Sequence, residues 1–285
     1  MIVSASRRTD IPALYAPWLL RRLAEGYAEV PHPFAPSRVR RVDLRLPPEG
    51  PLEALVLWTR NPAPLLPSIP RWEASGPPTL WLVTVIGYPR PLEGGPPGDI
   101  AVRAAKALAD AVGPDRVVWR YDPLLTCPAL GVTERWHEGN FVRLADALAG
   151  STRRCVVSGY DDYAKARRRL ARVGLPLGPS EALAQLAATL ARIAAARGIR
   201  LQTCCEAWQA AGVPAGACID GELLDRLWGL GVAGQRDPGQ RPGCRCAPAV
   251  DLGVYDTCTH GCLYCYATGS GARAAAHDPA GPRLA

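Results

Sequence analysis

Residues 250–267 read VDLGVYDTCTHGCLYCYA, an apolar run followed by a cluster of cysteines. The run at 250–255 predicts a β-strand, and Cys258, Cys262 and Cys265 follow it at the spacing C-x3-C-x2-C. Thiolates are soft ligands that suit zinc, copper or an iron–sulfur cluster. A zinc site needs a fourth ligand to complete its tetrahedron. Three thiolates can instead hold three irons of a four-iron cluster and leave the fourth iron open to a substrate or cofactor.

Further strands are predicted upstream of this stretch, with helical segments between them. The predicted strands span residues 2–6, 53–59, 79–88, 116–119, 154–158, 199–203 and 250–255. The predicted helices span residues 13–26, 100–112, 139–149 and 180–197. Strands that alternate with helices favour parallel βαβ units. We therefore expect an α/β fold, a (β/α) barrel that is closed or partial, with a doubly wound sheet as the alternative.

Length and composition set outer bounds. A chain of 285 residues can bury a large core, and we expect one barrel domain over residues 1–285. No apolar run is long enough for a membrane span, and the first residues lack the order of a signal peptide. We expect a cytoplasmic protein whose ten cysteines are ligands or free thiols rather than disulfides. The net charge of +7 is compatible with an anionic substrate or with DNA and decides neither.

Charged and polar residues repeatedly follow the predicted strands. Those that we take as candidate catalytic or substrate-binding residues are Arg7, Arg8, Asp10, Arg60, Asn61, Arg120 and Asp122. In a barrel, the functional residues lie at the carboxyl ends of the strands. The arginines would fix an anionic group, and Asp10 or Asp122 would hold a hydroxyl or amine. The alternative is that these strand ends simply meet solvent, where charge is tolerated.

The cysteine spacing, with Tyr264 just before the last cysteine, resembles the signature of radical S-adenosylmethionine (SAM) enzymes. The string CLYCYA is similar to the version in spore photoproduct lyase and its relatives. The resemblance implies that Cys258, Cys262 and Cys265 hold a [4Fe–4S] cluster whose open iron chelates SAM, with Tyr264 near the adenine. It also implies an electron donor such as flavodoxin or ferredoxin, and reductive cleavage of SAM to a 5′-deoxyadenosyl radical. A zinc site or a disulfide cluster is the alternative.

Nearly the whole chain resembles domain of unknown function family 1848, a bacterial and archaeal family. The matching segments are SASRRTDIPA at 4–13, WTRNP at 58–62, WRYDP at 119–123 and CTHGCLYCYA at 258–267. In ordinary radical SAM enzymes the cysteine loop follows the first strand, whereas here it follows the last. A circular permutation reconciles the two if strand 250–255 lies beside strand 2–6. Glu93-Gly94-Gly95 can be read as a contact for the SAM amino group or simply as a Pro/Gly loop.

A second set of cysteines lies between the sixth strand and the signature. Cys205, Cys218, Cys244 and Cys246 are expected to hold an auxiliary [4Fe–4S] cluster or, alternatively, a structural zinc ion. Cys204 and Cys205 should face opposite sides of their strand, so only one of them is expected to be a ligand. Residues 199–267 then form an iron–sulfur-binding region.

The function expected from these features is that of a radical SAM enzyme acting on a small-molecule or nucleotide-like anionic substrate. The alternatives are an iron–sulfur electron-transfer protein that never uses SAM and a nucleic-acid repair or binding protein. The sequence shows no basic stripe interleaved with aromatics and no recognisable nucleic-acid module. Arg167, Arg168 and Arg169 are interpreted as a solvated helix face. No membrane partner is expected.

Overall fold

The computed structural model describes residues 1–33, 35–269 and 277–285 and has a mixed α/β architecture. The strands are β1 (Ile2–Ala5), β2 (Tyr27–His32), β3 (Ala35–Asp43), β4 (Ala54–Thr59), β5 (Thr79–Thr84), β6 (Val117–Arg120), β7 (Arg154–Val157), β8 (Arg200–Cys204), β9 (Ala215–Gly216) and β10 (Val250–Asp251). The α-helices are α1 (Ile11–Leu14), α2 (Ala16–Glu25), α3 (Ile69–Ser75), α4 (Gly98–Val112), α5 (Glu134–Leu148), α6 (Ala164–Arg172), α7 (Leu183–Ala195) and α8 (Gly221–Trp228).

Within the described ranges, eight strands form one parallel sheet in the order β10-β1-β4-β5-β6-β7-β8-β9. From β1 to β9 the order in the sheet follows the order in the chain, without a reversal. Right-handed crossovers of this kind place the connecting helices on one face. A doubly wound sheet requires a reversal of strand order, so that alternative does not describe this protein.

Alternate residues of each strand enter two different apolar cores. In β4, Leu55 and Leu57 pack with residues of the connecting helices, such as Leu108 of α4. Val56 and Trp58 point the other way and belong to a second core. The strands are therefore apolar on both faces, which explains their nearly continuous hydrophobic runs.

The second core is filled by the segment that contains α8. Ile219, Leu223 and Leu224 are fully buried there against the face of the sheet that the crossover helices leave free. Asp220 caps α8 by accepting a hydrogen bond from the Leu223 amide at 3.1 Å, and it also pairs with Arg154 of β7. This segment therefore lies directly over the inner face of the sheet.

Two sequence predictions about the sheet have different outcomes. The predicted adjacency of the first and last strands is confirmed, because Val3 pairs with Val250 and Ser4 pairs with Asp251 in parallel register. Closure into a barrel is not confirmed, because the described part of the chain shows no ladder that joins β10 to β9. The fold is an open α/β sheet of parallel strands.

The antiparallel hairpin β2–β3 was not predicted, and neither were α3, β9 and α8, whereas α6 contains the three arginines that were interpreted as a helix face. Most of β3 is exposed and rich in arginine, so it lacks the alternation of apolar and polar residues that marks a half-buried strand. Helix α5 begins at Glu134, several residues before the predicted start, because the Thr133 side chain caps the Trp136 amide at 3.3 Å. Among the described residues, no helix combines the length and apolar character needed to cross a membrane.

Candidate functional site

The carboxyl ends of the strands surround a cavity of about 550 Å³, called here the central cavity. Its wall includes the signature cysteines Cys258, Cys262 and Cys265. The other cysteines that line it are Cys204, Cys205, Cys218, Cys244 and Cys246. Both cysteine sets therefore open onto one space, at the edge of a parallel sheet where ligands usually bind.

The signature cysteines are partly or fully withdrawn from solvent. Cys262 is 7% exposed, while Cys258 and Cys265 are half-buried. The three sulfurs do not all lie within 4.8 Å of one another, which is a wider arrangement than a single tetrahedral ion would hold. Burial raises the pKa of Cys258 to about 12 and also raises the pKa of Cys262. Three soft sulfur donors at this spacing suit a metal cluster better than a single ion.

The loop at residues 93–95 packs directly on residues 258–265, which carry the signature cysteines and are called here the cysteine loop. The Gly94 amide donates a hydrogen bond to the Cys262 sulfur at 3.3 Å. A Cβ atom at Gly94 would lie 1.5 Å from the carbonyl oxygen of His260, so no larger residue fits. The sequence allowed two interpretations of this loop, a contact for the SAM amino group or an ordinary Pro/Gly loop. The structure places it against the second cysteine of the signature.

Arg60, Glu93 and Tyr264 form a buried network behind the cysteine loop. Glu93 pairs with the guanidinium of Arg60 at 2.9 Å and accepts the Tyr264 hydroxyl at 2.5 Å. Burial raises the pKa of Tyr264 well above its ordinary value, which keeps the phenol neutral and able to donate. Arg60 was predicted to contact substrate, and Tyr264 was predicted to contact the adenine. In the structure, both residues help to hold the loop that carries the signature cysteines.

Asp10 and Asn61, both predicted to contact substrate, bind the protein itself. Asp10 accepts hydrogen bonds from the amides of Ala13 and Arg60, and its Oδ2 lies 2.8 Å from Nε2 of His260. Asn61 accepts a hydrogen bond from the Ala63 amide at 3.2 Å and is not part of the cavity wall. A polar residue after a strand is equally suited to capping the next helical turn, which the sequence alone does not distinguish.

Arg7 and Arg120 flank the indole ring of Trp58 in the cavity wall. Their guanidinium carbons lie 5.5 and 4.7 Å from the ring centre. Arg120 also pairs with Asp122, which accepts a second hydrogen bond from Ser158. Nη2 of Arg7, Nε of Arg120 and Nε1 of Trp58 are buried donors that have no hydrogen-bond partner among the described residues. These donors suit an acceptor-rich ligand.

The remaining N-terminal candidate, Arg8, supports the cysteine loop. Its Nη1 donates to the Gly253 carbonyl at 3.2 Å, and its guanidinium lies 5.1 Å from the Tyr255 ring centre. Thr9 donates to the Val254 carbonyl at 2.7 Å. The segment that carries Arg7, Arg8 and Asp10 therefore braces the chain that leads into Cys258.

Asp251 connects several segments of the chain through hydrogen bonds, and it was not predicted from the sequence. Its carboxylate accepts hydrogen bonds from the hydroxyls of Ser4 and Ser6 and from the amides of Arg7 and Gly253, at 2.7 to 2.9 Å. A lone aspartate inside an apolar strand, followed by glycine, was the available signal. Asp251 fixes β1, β10 and the turn after each of them relative to one another.

Arg169 corrects the interpretation of the arginine run as a solvated face. Its Nε donates to the Leu263 carbonyl at 3.2 Å, its Nη1 donates to the Gly269 carbonyl at 3.5 Å, and its Nη2 bonds the Cys265 carbonyl. Arg167 and Arg168 on the same helix are exposed, as predicted. One arginine of α6 thus holds the carboxyl-terminal half of the cysteine loop.

We expect Arg169→Ala to destabilise the protein by about 1.5–3 kcal/mol, the usual contribution of hydrogen bonds from a charged donor. Iron uptake during anaerobic reconstitution should fall with it, because the carbonyls of Leu263 and Cys265 lose their common donor. Thermal melting and iron content measure the two effects. Arg168→Ala is the matched control, and its effect should stay within about 0.5 kcal/mol. Equal effects of both substitutions would show that Arg169 does not hold the loop.

The cysteines of the second set come together in the structure, but one of them is not the residue that was predicted. The sulfurs of Cys204, Cys218 and Cys246 lie within 4.8 Å of one another, and Cys244 packs against the same core as these three. Hydrogen bonds from the thiols of Cys204, Cys218 and Cys244 lower the pKa of Cys246 below its usual range.

Cys205, which we expected in this set, is replaced by Cys204. Cys204 is the last residue of β8 and faces the second core, together with Cys218 and Cys246. Cys205 has a φ of 65°, which turns the chain away from the sheet, and its sulfur donates to the Pro242 carbonyl at 3.3 Å. The expectation that only one of the two neighbours joins the group agrees with the structure, but the chosen member was wrong.

Comparison with known proteins gives one match. The family model described as Domain of unknown function (DUF1848) matches residues 2–267, a range that contains both cysteine sets and the arginine-lined wall of the cavity. No curated protein matches the chain. No solved structure matches it.

Proposed function

The chain belongs to the DUF1848 family of domains of unknown function, and from this premise we propose that it is an iron–sulfur enzyme of the radical SAM type. In this proposal Cys258, Cys262 and Cys265 hold a [4Fe–4S] cluster, and SAM and the substrate share the central cavity. One observation carries the proposal. The signature cysteines line the same cavity as Arg7, Arg120 and Trp58, whose buried donors have no hydrogen-bond partner in the part of the chain that the structure describes.

When bound, the cluster would supply one electron for cleavage of SAM to methionine and a 5′-deoxyadenosyl radical, which takes a hydrogen atom from the substrate. The electron would come from a carrier such as flavodoxin or ferredoxin. The protein's own contribution is to fix the reactants on rigid elements. A primary radical must meet one chosen hydrogen at close range and away from water, so positioning matters more than acid–base chemistry.

The loop that carries the cysteines is well suited to this task, because it is braced from three directions. Gly94 contacts Cys262, Arg169 holds the backbone at Cys265, and Asp10 holds His260. The loop is thus pre-organised around the three sulfurs, which favours a bound cluster over a set of independent thiols.

The substrate class follows from the charge of the cavity wall. Arg7 and Arg120 present guanidinium groups, and Trp58 adds an aromatic surface between them. We infer an anionic substrate, a carboxylate or phosphate, that accepts hydrogen bonds from these arginines. Asp122 is bonded to Arg120 and Ser158, so its role is to orient Arg120.

We also infer that the sheet is an incomplete, circularly permuted (β/α) barrel. Strand order without a reversal, and helices on one face, support a single winding direction. The parallel pairing of β10 with β1 supports this inference, because a permuted barrel requires the strand before the cysteine loop to lie beside the first strand of the chain. Permutation changes the chain ends without moving the site.

Anaerobic reconstitution tests the proposal. Iron and sulfide are counted first, and SAM is then added with dithionite as the electron source. We expect about four irons at the signature site and release of 5′-deoxyadenosine and methionine. A protein that carries the full cluster and forms no 5′-deoxyadenosine under strong reductant would instead be an electron-transfer protein.

Arg120→Lys should separate cluster chemistry from substrate binding. Lysine keeps a positive charge beside Asp122 but loses the guanidinium fork. Cluster content and substrate-free SAM cleavage should be unchanged, while kcat/KM for the substrate falls by about 10- to 150-fold, equivalent to about 1.5–3 kcal/mol. Arg116→Lys, which lies just before the other end of β6, is the control and should not alter kcat/KM. A loss of the cluster in Arg120→Lys would contradict the assigned role.

A further inference from the structure

The second cysteine set joins parts of the chain that meet at both open edges of the sheet. Cys204 ends β8, next to the edge strand β9, and Cys218 follows β9. Cys244 and Cys246 precede β10, the edge strand on the other side. Hydrogen bonds between strands do not connect these two edges within the described chain, yet the sulfurs of Cys204 and Cys218 converge with that of Cys246.

The geometry of the group matches a single ion. A zinc ion holds its sulfurs at about 2.3 Å in a tetrahedron, so the sulfurs lie about 3.8 Å apart. The sulfurs of Cys204, Cys218 and Cys246 all lie within 4.8 Å of one another. Each thiolate of a four-iron cluster binds a different iron, which requires a wider spacing. The signature trio does not meet the 4.8 Å limit, whereas three members of the second set do.

The surrounding backbone holds the group in place independently of its sulfurs. The Ala247 amide donates to the Ile219 carbonyl at 2.9 Å, and the Asp237 amide donates to the Cys246 carbonyl at 2.8 Å. Cys218 and Cys246 are each 3% exposed. Arg7 and Arg120 line the same cavity wall as these two cysteines.

We propose that Cys204, Cys218, Cys244 and Cys246 bind one zinc ion, which fastens the two edges of the sheet to each other in the wall of the central cavity. Four protein thiolates leave no open position, so the ion is structural and takes no part in redox chemistry. It ties the α8 segment to β8 and β10, where the hydrogen-bonded sheet is open. This inference does not depend on SAM chemistry at the signature cysteines.

The test uses the full chain with Cys258, Cys262 and Cys265 all replaced by alanine, so that bound metal belongs to the second site. Zinc, iron and sulfide are counted after purification and again after reconstitution with iron and sulfide. We expect one equivalent of zinc and no sulfide. Four irons with four sulfides, or a folded protein without metal, would overturn the proposal. Neither result would bear on whether the unaltered chain cleaves SAM, so this proposal and the proposed function can fail independently.

Neighbouring cysteines provide a matched pair of variants in the same background. Cys204→Ser should lose the zinc, whereas Cys205→Ser should keep it, although the two residues are adjacent. The opposite result would assign the site to Cys205 and overturn the proposed ligand set. Cys218→Ser should also lose the zinc, and it tests the same set if Cys204→Ser fails to fold.

Hydrogen exchange tests the link between the edges without any substitution in the second set. Zinc is removed from the same trio variant with a chelator, and amide exchange is compared with that of the zinc-loaded protein. We expect faster exchange at Leu252, whose amide bonds the Ser4 carbonyl beside β10, and at Thr203, whose amide bonds the Pro214 carbonyl beside β9. Exchange at Leu57, in the middle of the sheet, should not change. Unchanged exchange at both edges would show that the ion does not join them.

Discussion

Replacing Cys262 with alanine should abolish both the signature cluster and the formation of 5′-deoxyadenosine, while the chain remains folded. Cys262 is the central cysteine of the trio, it is 7% exposed, and its sulfur contacts the Gly94 amide. Two thiolates cannot hold three irons, so the cluster loses its anchorage. Iron and sulfide, counted after anaerobic reconstitution, should fall to background. SAM cleavage, measured as 5′-deoxyadenosine per protein, should fall below detection.

Cys127→Ala is the control for this experiment. Cys127 is fully buried like Cys262, but it belongs to neither cysteine set. Its substitution creates a similar small cavity, and cluster content and SAM cleavage should stay at the level of the unaltered chain. If Cys262→Ala retained a full cluster, the assignment of the three signature cysteines as ligands would be wrong.

Gly94→Ala is the second substitution with a large expected effect. The added methyl carbon would stand 1.5 Å from the His260 carbonyl oxygen and 2.5 Å from its carbon, both backbone atoms that cannot rotate away. Either residues 93–95 or the cysteine loop must move. Overpacking of this kind commonly costs about 1–3 kcal/mol and sometimes more. Displacement of His260 also moves Cys262, so cluster loading should fall by more than half even in protein that remains folded.

Gly139→Ala is the matched control, since Gly139 lies within α5 and a Cβ atom there meets nothing within 4 Å. Alanine in a helix should be neutral or stabilising by about 0.5–1 kcal/mol. Thermal melting and iron content of the two variants, measured side by side, separate a general glycine effect from the specific clash. Normal iron content in Gly94→Ala would mean that the close approach to the cysteine loop does not shape the site.

The signature cysteines could be identified from sequence because their chemistry depends on spacing along the chain. The supporting residues could not be identified in the same way. Arg169 bonds the Cys265 carbonyl across 96 residues, and Gly94 bonds Cys262 across 168 residues. Arg169 lies in a segment whose sequence is typical of a charged helix face, and Gly94 lies in one typical of a Pro/Gly loop. Neither segment is marked by its sequence as part of a site. Contacts of this range depend on how the strands are ordered in the sheet.

The sequence by itself determined the alternation of strands and helices and the three cysteines at ligand spacing. It also indicated that the first and last strands are neighbours, which the pairing of Val3 with Val250 confirms. These features are local, because hydrophobic period and ligand spacing are written along the chain. The tertiary structure alone decided that Cys204 rather than Cys205 joins Cys218 and Cys246, and that the described sheet stays open between β10 and β9. The physical reason is that a strand has two faces that its own sequence does not distinguish. The α8 segment, which is distant in the chain, packs on one of these faces and thereby makes it the inner face.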